Sequence, residues 1–397
     1  MRPNYFNSKV FLITAMLWVA CSAQSQVTLR SEVAKPLQAA QEALTSKDYT
    51  SAIAQAKSTL AIPNLTPQER SLIEQIISSA AINAKDYKTA IEPVTYLSSD
   101  STLPISERLT YQETLISLLR TQKDFVNLAK TARSYLDQGG KKDGTRALYV
   151  QTLSVLNLHQ DVIDYLAPML KAEPPVILGE LELRALAIAF KTLKNDVGYY
   201  ATLKELVAVS PNKDYWLDLL TKLQKQPFFN PRYELDVYRL MAHNNLLEEA
   251  DDYLYYAQLA LKAGLPAEAQ IALNGGISAK VFQSDQEKLN LQKLSQIATR
   301  RLSEDEKQIQ TLENSAKGQD QAEWAEILFS KADYKGCITK YQSALQTPGL
   351  RREPELRLHL LIALTKSGMK TEARNQLNEI KSDLSALELG RLWSKLN

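Results

Sequence analysis

KDYTSAIAQ at residues 47–55 returns as KDYKTAIEP at 85–93 and as KDFVNLAKT at 123–131. Tyr49, Tyr87 and Phe125 are thus separated by 38 residues, twice in succession. A fixed period in this range is the mark of a stacked array in which each unit is about one helix hairpin. Within a unit the apolar spacing is helical. Leu72, Ile73, Ile76, Ile77 and Ala80 mark one face, NAKDY makes a turn, and TAIEPVTYL resumes as a second helix. Thr66-Pro67-Gln68-Glu69 carries helix-start chemistry: Thr66 caps, Pro67 suits the first turn, and Glu69 reaches back to close a capping box.

The recurring phrase has a physical reading. Asp48 is placed to cap the second helix and Tyr49 to wedge between the two. Three residues on, Ala52 must be small because the helices cross closely there, and Ala90 fills that slot in the next unit. The small partners on the first helices are Ala40 and Ser78, since large residues would push the hairpin apart. A third unit has Ile116 and Leu128 in these slots. The signal returns in ADYKGCITKYQSALQTP (332–348), with Tyr334, Cys337, Tyr341, Ala344 and Pro348 in register, and in KSGMKTEARNQL (366–377), with Ala373.

This small–aromatic–small pattern resembles the tetratricopeptide repeat (TPR) family over most of residues 31–390, clearly at both ends and loosely between. The resemblance implies an all-α solenoid or superhelix of antiparallel hairpins, about eight or nine by period length, degenerate in the middle. There, LALKAGLPAEAQIAL (259–273) reads as a repeat turn with Ala269 as the small residue. SPNKDYWLDLL (210–220) reads as a junction at Pro211 and Trp216. Ser303 and Glu306, after Leu302, read as a capping box that divides the charged stretch 284–318 into two helices. The expected layout is a signal peptide (1–23), a short flexible segment (24–30), an N-terminal array (31–210), degenerate hairpins (211–283), a charged helical connector (284–318) and C-terminal hairpins (319–397).

The N-terminus carries Arg2 and Lys9, no acid, and the apolar run Val10 to Ala20, which is too short to span a bilayer but fits an export signal cleaved after Ala23. A second reading makes Cys21 the lipid acceptor of a lipoprotein, although Trp18 stands where such signals carry Leu. Removing Arg2 and Lys9 from the 47 basic residues leaves 45, equal to the 45 acidic ones. A nucleic-acid binder would show a basic surplus, so nucleic acid is not an expected partner. Cys337 is then the one remaining thiol, and in a small-residue slot it reads as buried and structural.

Chemistry-bearing patterns are weak. His159, His243 and His359 are far apart, and none sits in a metal-protease spacing. His359, in the apolar helix LRLHLLIAL, reads as packed, and His159, in the turn NLHQD, as solvated. Two Ser-x-x-Lys matches, Ser210–Lys213 and Ser367–Lys370, fall in turns and lack the companion motifs of penicillin-recognising enzymes. Asp251 and Asp252 read as helix-start acids, and Tyr253, Tyr255 and Tyr256 as core or interface residues. No metal, no cofactor and no catalytic residue is expected.

TPR-like geometry implies that the first helix of each hairpin lines an inner face. The inner positions are Gln41; Gln75, Ser79 and Asn83; and Glu113, Ser117, Arg120 and Thr121. Their polarity suits a groove for an extended peptide or a partner helix. Leu37 and Gln41 stand where TPR domains that grip acidic chaperone tails carry Lys and Asn, which tells against that ligand class. The order NKDYW (212–216), LALKAGLPAEA (259–269), GGI (275–277), behind a signal peptide, resembles exported TPR proteins of Gram-negative bacteria, some of which accompany TonB-type energy-transduction systems. That resemblance implies a periplasmic, non-catalytic scaffold in an envelope complex. The competing classes are a lipoprotein assembly factor anchored through Cys21 and a solenoid hydrolase of cell wall or polysaccharide with Glu113 as its acid.

Overall fold

The computed structural model describes residues 29–313 and 315–395. The export signal, its cleavage site and Cys21 lie outside the described residues. The chain divides into two compact units, one ending at Thr152 and the other beginning at Leu153. Among the described residues no helix is long and apolar enough to cross a membrane.

The first unit is built from successive antiparallel pairs: α1 (Ser31–Thr45) with α2 (Tyr49–Leu60), α3 (Pro67–Asn83) with α4 (Tyr87–Ser99), and α5 (Ile105–Gln122) with α6 (Phe125–Asp137), followed by α7 (Thr145–Val155), which runs through the division. The KD-aromatic phrase is a turn with two jobs. Lys47, Lys85 and Lys123 take the left-handed conformation, at φ of 64°, 61° and 58°. The following N–H then returns to a carbonyl five residues back, Asp48 to Ala43 at 2.9 Å, Asp86 to Ala81 at 2.8 Å and Asp124 to Leu119 at 2.9 Å, which closes the first helix. Each Asp carboxylate accepts from the N–H three residues on, Ser51, Thr89 or Asn127, all at 3.1 Å, and starts the second helix.

Small residues sit at the crossings as expected. Ala40, Ala52, Ser78 and Ala90 are all buried, and Ile116 and Leu128 are buried in the third hairpin. Helix α3 is shared between cores. Ile73, Ile76 and Ile77 pack with Val33, Leu37 and Ala56, whereas Ala81 packs with Val94, Leu115 and Leu119. The capping box is present: Glu69 N–H donates to Thr66 Oγ1 (3.2 Å) and Thr66 N–H to Glu69 Oε2 (2.9 Å). Arg30 adds Nη2 to Glu69 at 2.9 Å, and its hydrogen bond, with the Thr66 N–H, lowers the Glu69 pKa to about 2.

The second unit continues with α8 (His159–Leu170), α9 (Glu180–Thr192), α10 (Asp196–Val209), α11 (Lys213–Gln224), α12 (Glu234–His243), α13 (Ala250–Lys262), α14 (Pro266–Ser278), α15 (Asp285–Glu313), α16 (Gly318–Ser330), α17 (Tyr334–Ala344), α18 (Glu353–Lys366), α19 (Lys370–Asn378) and α20 (Leu384–Ser394). The hairpin turn recurs here. Asn195 N–H returns to Phe190 at 2.8 Å and Asp333 N–H to Leu328 at 3.0 Å. Glycine supplies the left-handed residue at Gly264 and Gly368, with φ of 78° and 77°.

The stretch 284–318 departs from expectation. Residues Asp285–Glu313 form one helix of 29 residues, not two. Ser303 Oγ donates back to the Arg300 carbonyl at 2.7 Å, so it is spent inside the helix and does not cap a new one. The Glu306 side chain lies outside the described residues. Helix α15 packs on α13 and α14, and Ala298 is buried in their core.

The end of the chain folds back. Helix α20 meets α10 through Tyr200 Oη to Glu388 (3.0 Å), Lys204 Nζ to Glu388 (2.9 Å) and Lys395 Nζ to Glu205 (3.0 Å). It meets the segment before α12 through Tyr233 Oη to Asp383 (2.9 Å) and Asn230 N–H to Ser385 Oγ (2.9 Å). These partners lie 150 to 190 residues apart in sequence, so this unit is closed on itself by its last helix.

Candidate functional site

The most heavily charged interior position of the described residues lies in the second unit, where α12, α14, α16 and α18 converge. Arg239 and Asp236 are one turn apart on α12, and both are buried. The Arg239 guanidinium grips Glu268 of α14 with both arms, Nε to Oε1 at 2.7 Å and Nη2 to Oε2 at 2.6 Å. Its third arm, Nη1, donates to Asp236 Oδ1 at 2.8 Å, and its face lies 4.8 Å from the Phe329 ring. Glu268 also accepts from Tyr256 Oη at 2.8 Å, and its backbone N–H donates to Ser330 Oγ at 3.0 Å.

His359 of α18 completes the network. Its Nδ1 is 2.7 Å from Glu326 Oε1, its Nε2 is 3.1 Å from Asp236 Oδ1, and its ring stacks on Phe329 with centroids 5.3 Å apart. Burial alone would lower the His359 pKa, but the Glu326 and Asp236 carboxylates outweigh it and raise it to about 10. The two carboxylates thus favour the cationic imidazole, and Asp236 faces both His359 and Arg239, whose Nη1 also lies 2.8 Å from His359 Nε2. Burial opposes ionisation of Asp236, yet His359 and Arg239 hold its pKa at about 2. Glu326 is held below the ordinary carboxylate range against burial by His359, and it accepts from Tyr341 Oη at 2.7 Å. Burial, joined by the Glu326 charge, pushes the Tyr341 phenol up. Every member is engaged, so the network is a strut between four helices.

The strut separates two clefts. On one side a cavity of about 570 Å³ has Asp236, Arg239, Glu326 and His359 in its lining and carries Lys262, Glu323 and Arg351 among its exposed side chains. Glu355, on the same wall, faces Arg232 at 3.7 Å and Arg352 at 3.4 Å, and burial raises its pKa. On the other side a cavity of about 370 Å³ has Arg239 and Glu268 on one wall and Tyr253, Phe329, Lys366 and Trp393 on others.

The inner-face residues read from sequence all lie in the first unit. Asn83, Ser117, Arg120 and Thr121 are exposed, while Gln41, Gln75, Ser79 and Glu113 are half-buried. Asn83 Nδ2 donates to the Ser79 carbonyl and Thr121 Oγ1 to the Ser117 carbonyl, at 2.8 and 2.9 Å. Glu113 has both oxygens engaged, Oε1 by Tyr135 Oη at 2.7 Å and Oε2 by Lys142 Nζ at 3.1 Å, which makes it a brace for the Gly139–Gly140 turn region.

Other readings also meet the structure. His359 is packed, as its helix implied, but in an ionic setting that no local pattern announced. His159 opens α8 half-buried, with Nδ1 buried and without a partner among the described residues. Asp252 takes the helix-start role, accepting from Glu248 and Glu249 N–H at 2.9 and 3.1 Å. Cys337 is fully buried and its thiol is pushed up to about 12 by burial, which makes it an inert packing residue. Among the described residues no group of three or more His, Cys, Asp or Glu side chains is arranged so that it could hold a metal ion.

No protein-family model matches the chain, and no curated protein matches it. Solved structures do. The TPR2AB domain of yeast Sti1, from its complex with pHSP90, is 11% identical at a TM-score of 0.35, covering 68% of this chain and 99% of that one. A tetratricopeptide repeat protein of Parabacteroides merdae is 12% identical at 0.27, covering 68% and 100%. Yeast Tom70 is 13% identical at 0.21, covering 88% and 84%. The similarity is to stacked-hairpin proteins, and the assignment of this chain as an all-α, TPR-like hairpin solenoid rests on its own turns, caps and crossings.

Proposed function

We propose that the chain is a non-catalytic scaffold that binds a segment of a partner protein in the cell envelope. The observation that carries this reading is the larger cleft. Its floor is an ion network whose groups are all engaged with one another, while Lys262, Glu323 and Arg351 remain exposed around it. A rigid floor with free charges of both signs suits recognition of a polar peptide more than acid–base chemistry. Glu113, the best acid for a hydrolase, is held by Tyr135 and Lys142, which supports the same reading. The first unit offers a second face through Asn83, Ser117, Arg120 and Thr121.

We place the protein in the periplasm on the strength of Arg2, Lys9 and the apolar run Val10–Ala20, with an accessory role beside a TonB-type system as the specific form of the proposal. Anchoring through Cys21 is the alternative, and the mass of the mature N-terminus separates the two. The scaffold reading is tested by in-cell crosslinking of the exported protein. One variant carries Arg351→Glu with Glu323→Lys, and another carries Gln75, Asn83 and Arg120 changed to Ala. A specific envelope partner lost in either variant, with folding intact, supports the scaffold and locates its face. A wild-type protein that crosslinks to no envelope partner contradicts it.

A further inference from the structure

The smaller cleft contains a corner that the ion network leaves unused. Lys366, at the end of α18, lies with Nζ 2.7 Å from Nδ1 of His243, at the end of α12. Lysine only donates, so Nδ1 accepts and the imidazole proton sits on Nε2. Burial and the Lys366 charge both lower the His243 pKa, so the ring is neutral at pH 7. Both groups lie against Trp393 of α20, the imidazole 5.0 Å and the ammonium 5.6 Å from its ring. Trp393 is itself fully buried, yet its indole N–H has no acceptor among the described residues.

Lys366 and His243 thus meet at one corner beside Trp393. The single carboxylate in the lining of this cleft is Glu268, and both of its oxygens are held by Arg239. Lys366 is the cleft's one cation without a carboxylate partner among the described residues. The remaining walls are aromatic and aliphatic, chiefly Tyr253, Tyr256, Tyr334, Leu247, Ile271 and Ile362. A volume of about 370 Å³ is enough for one small molecule. An ammonium without a carboxylate partner favours an anion, and the walls favour an aromatic body.

We propose that this cleft binds a small aromatic carboxylate, with the anion on Lys366 Nζ and the ring against the tyrosine walls. The site is independent of the scaffold reading, and either can fail without the other.

Calorimetric titration of the purified chain with phenylacetate and with indole-3-acetate tests it. The expected result is saturable one-to-one binding by at least one of them. Phenylacetamide, which lacks the charge, and acetate, which lacks the ring, bind at least about tenfold more weakly. Lys366→Met, at an exposed position, loses about tenfold or more in affinity with its thermal unfolding unchanged, and Lys381→Met, outside the cleft, loses nothing. Absence of saturable binding by both aryl carboxylates, equal binding of phenylacetamide or acetate, or full affinity in Lys366→Met overturns the proposal.

Discussion

The two units solve one problem, holding helix hairpins in register, in different ways. In the first, the answer is local and repeated. A left-handed Lys and an Asp cap recur at 38-residue steps, small residues fill the first two crossings, and the cores are largely aliphatic. In the second, the crossings are less regular, and long-range polar contacts replace repetition. Arg239 reaches Glu268 across 29 residues and His359 comes from 120 residues away, while α20 returns to α10 across 188. A repeat signature fades where unique tertiary contacts carry the specificity that repetition carries elsewhere.

The sharpest way to break this comparison is to remove Arg239. Arg239→Met leaves Asp236 and Glu268 buried without their cation, and such a loss costs about 3–5 kcal/mol. The described tryptophans, Trp216, Trp324 and Trp393, all lie in the second unit, so urea unfolding followed by their fluorescence reads that unit. The midpoint is expected to fall. An unchanged midpoint would mean that the network is dispensable.

A milder perturbation of the same network is pH. His359 titrates near 10 in the folded chain, above its ordinary 6.5. Its contribution is therefore fully present below about 6.5 and is lost as pH rises through 10. Asp236, held at about 2 against an ordinary 3.8, contributes above 3.8 and loses that contribution as pH falls toward 2. The stability of the second unit, followed by tryptophan fluorescence, is expected to decline from neutral pH toward 10, and His359→Gln is expected to flatten that decline.

In the first unit the vulnerable points are steric and local. Ala90→Leu overfills the crossing of α3 and α4 and is expected to cost about 1–3 kcal/mol by far-UV circular dichroism in urea. Asp86→Ala removes one helix cap and is expected to cost about 1 kcal/mol, with Asp86→Asn largely preserving stability. Neither change should alter the pH response of the tryptophan signal.

What the sequence reveals follows the same division. Asp48, Asp86, the Thr66–Glu69 box and the small slots at Ala40, Ala52, Ser78 and Ala90 are legible because cap, turn and crossing lie within a few residues of each other. The left-handed Lys47, Lys85 and Lys123 are not, because lysine has no preference for that conformation and is held there by the turn around it. Ser303 carries a cap signal that tertiary packing of α15 on α13 and α14 overrides. The buried network is illegible for another reason. Asp236, Arg239, Glu268, Glu326 and His359 each look like an ordinary helix residue, and only the convergence of four helices brings them together. A charged residue on the apolar face of LRLHLLIAL was the one available hint.

The most direct test of the division is hydrogen exchange read by mass spectrometry on the whole chain, wild type against Arg239→Met. The account predicts lost protection concentrated in α12, α14, α16 and α18, with the peptides of α1 to α6 unchanged. Equal loss across α1 to α6, or no loss in the four network helices, would contradict it.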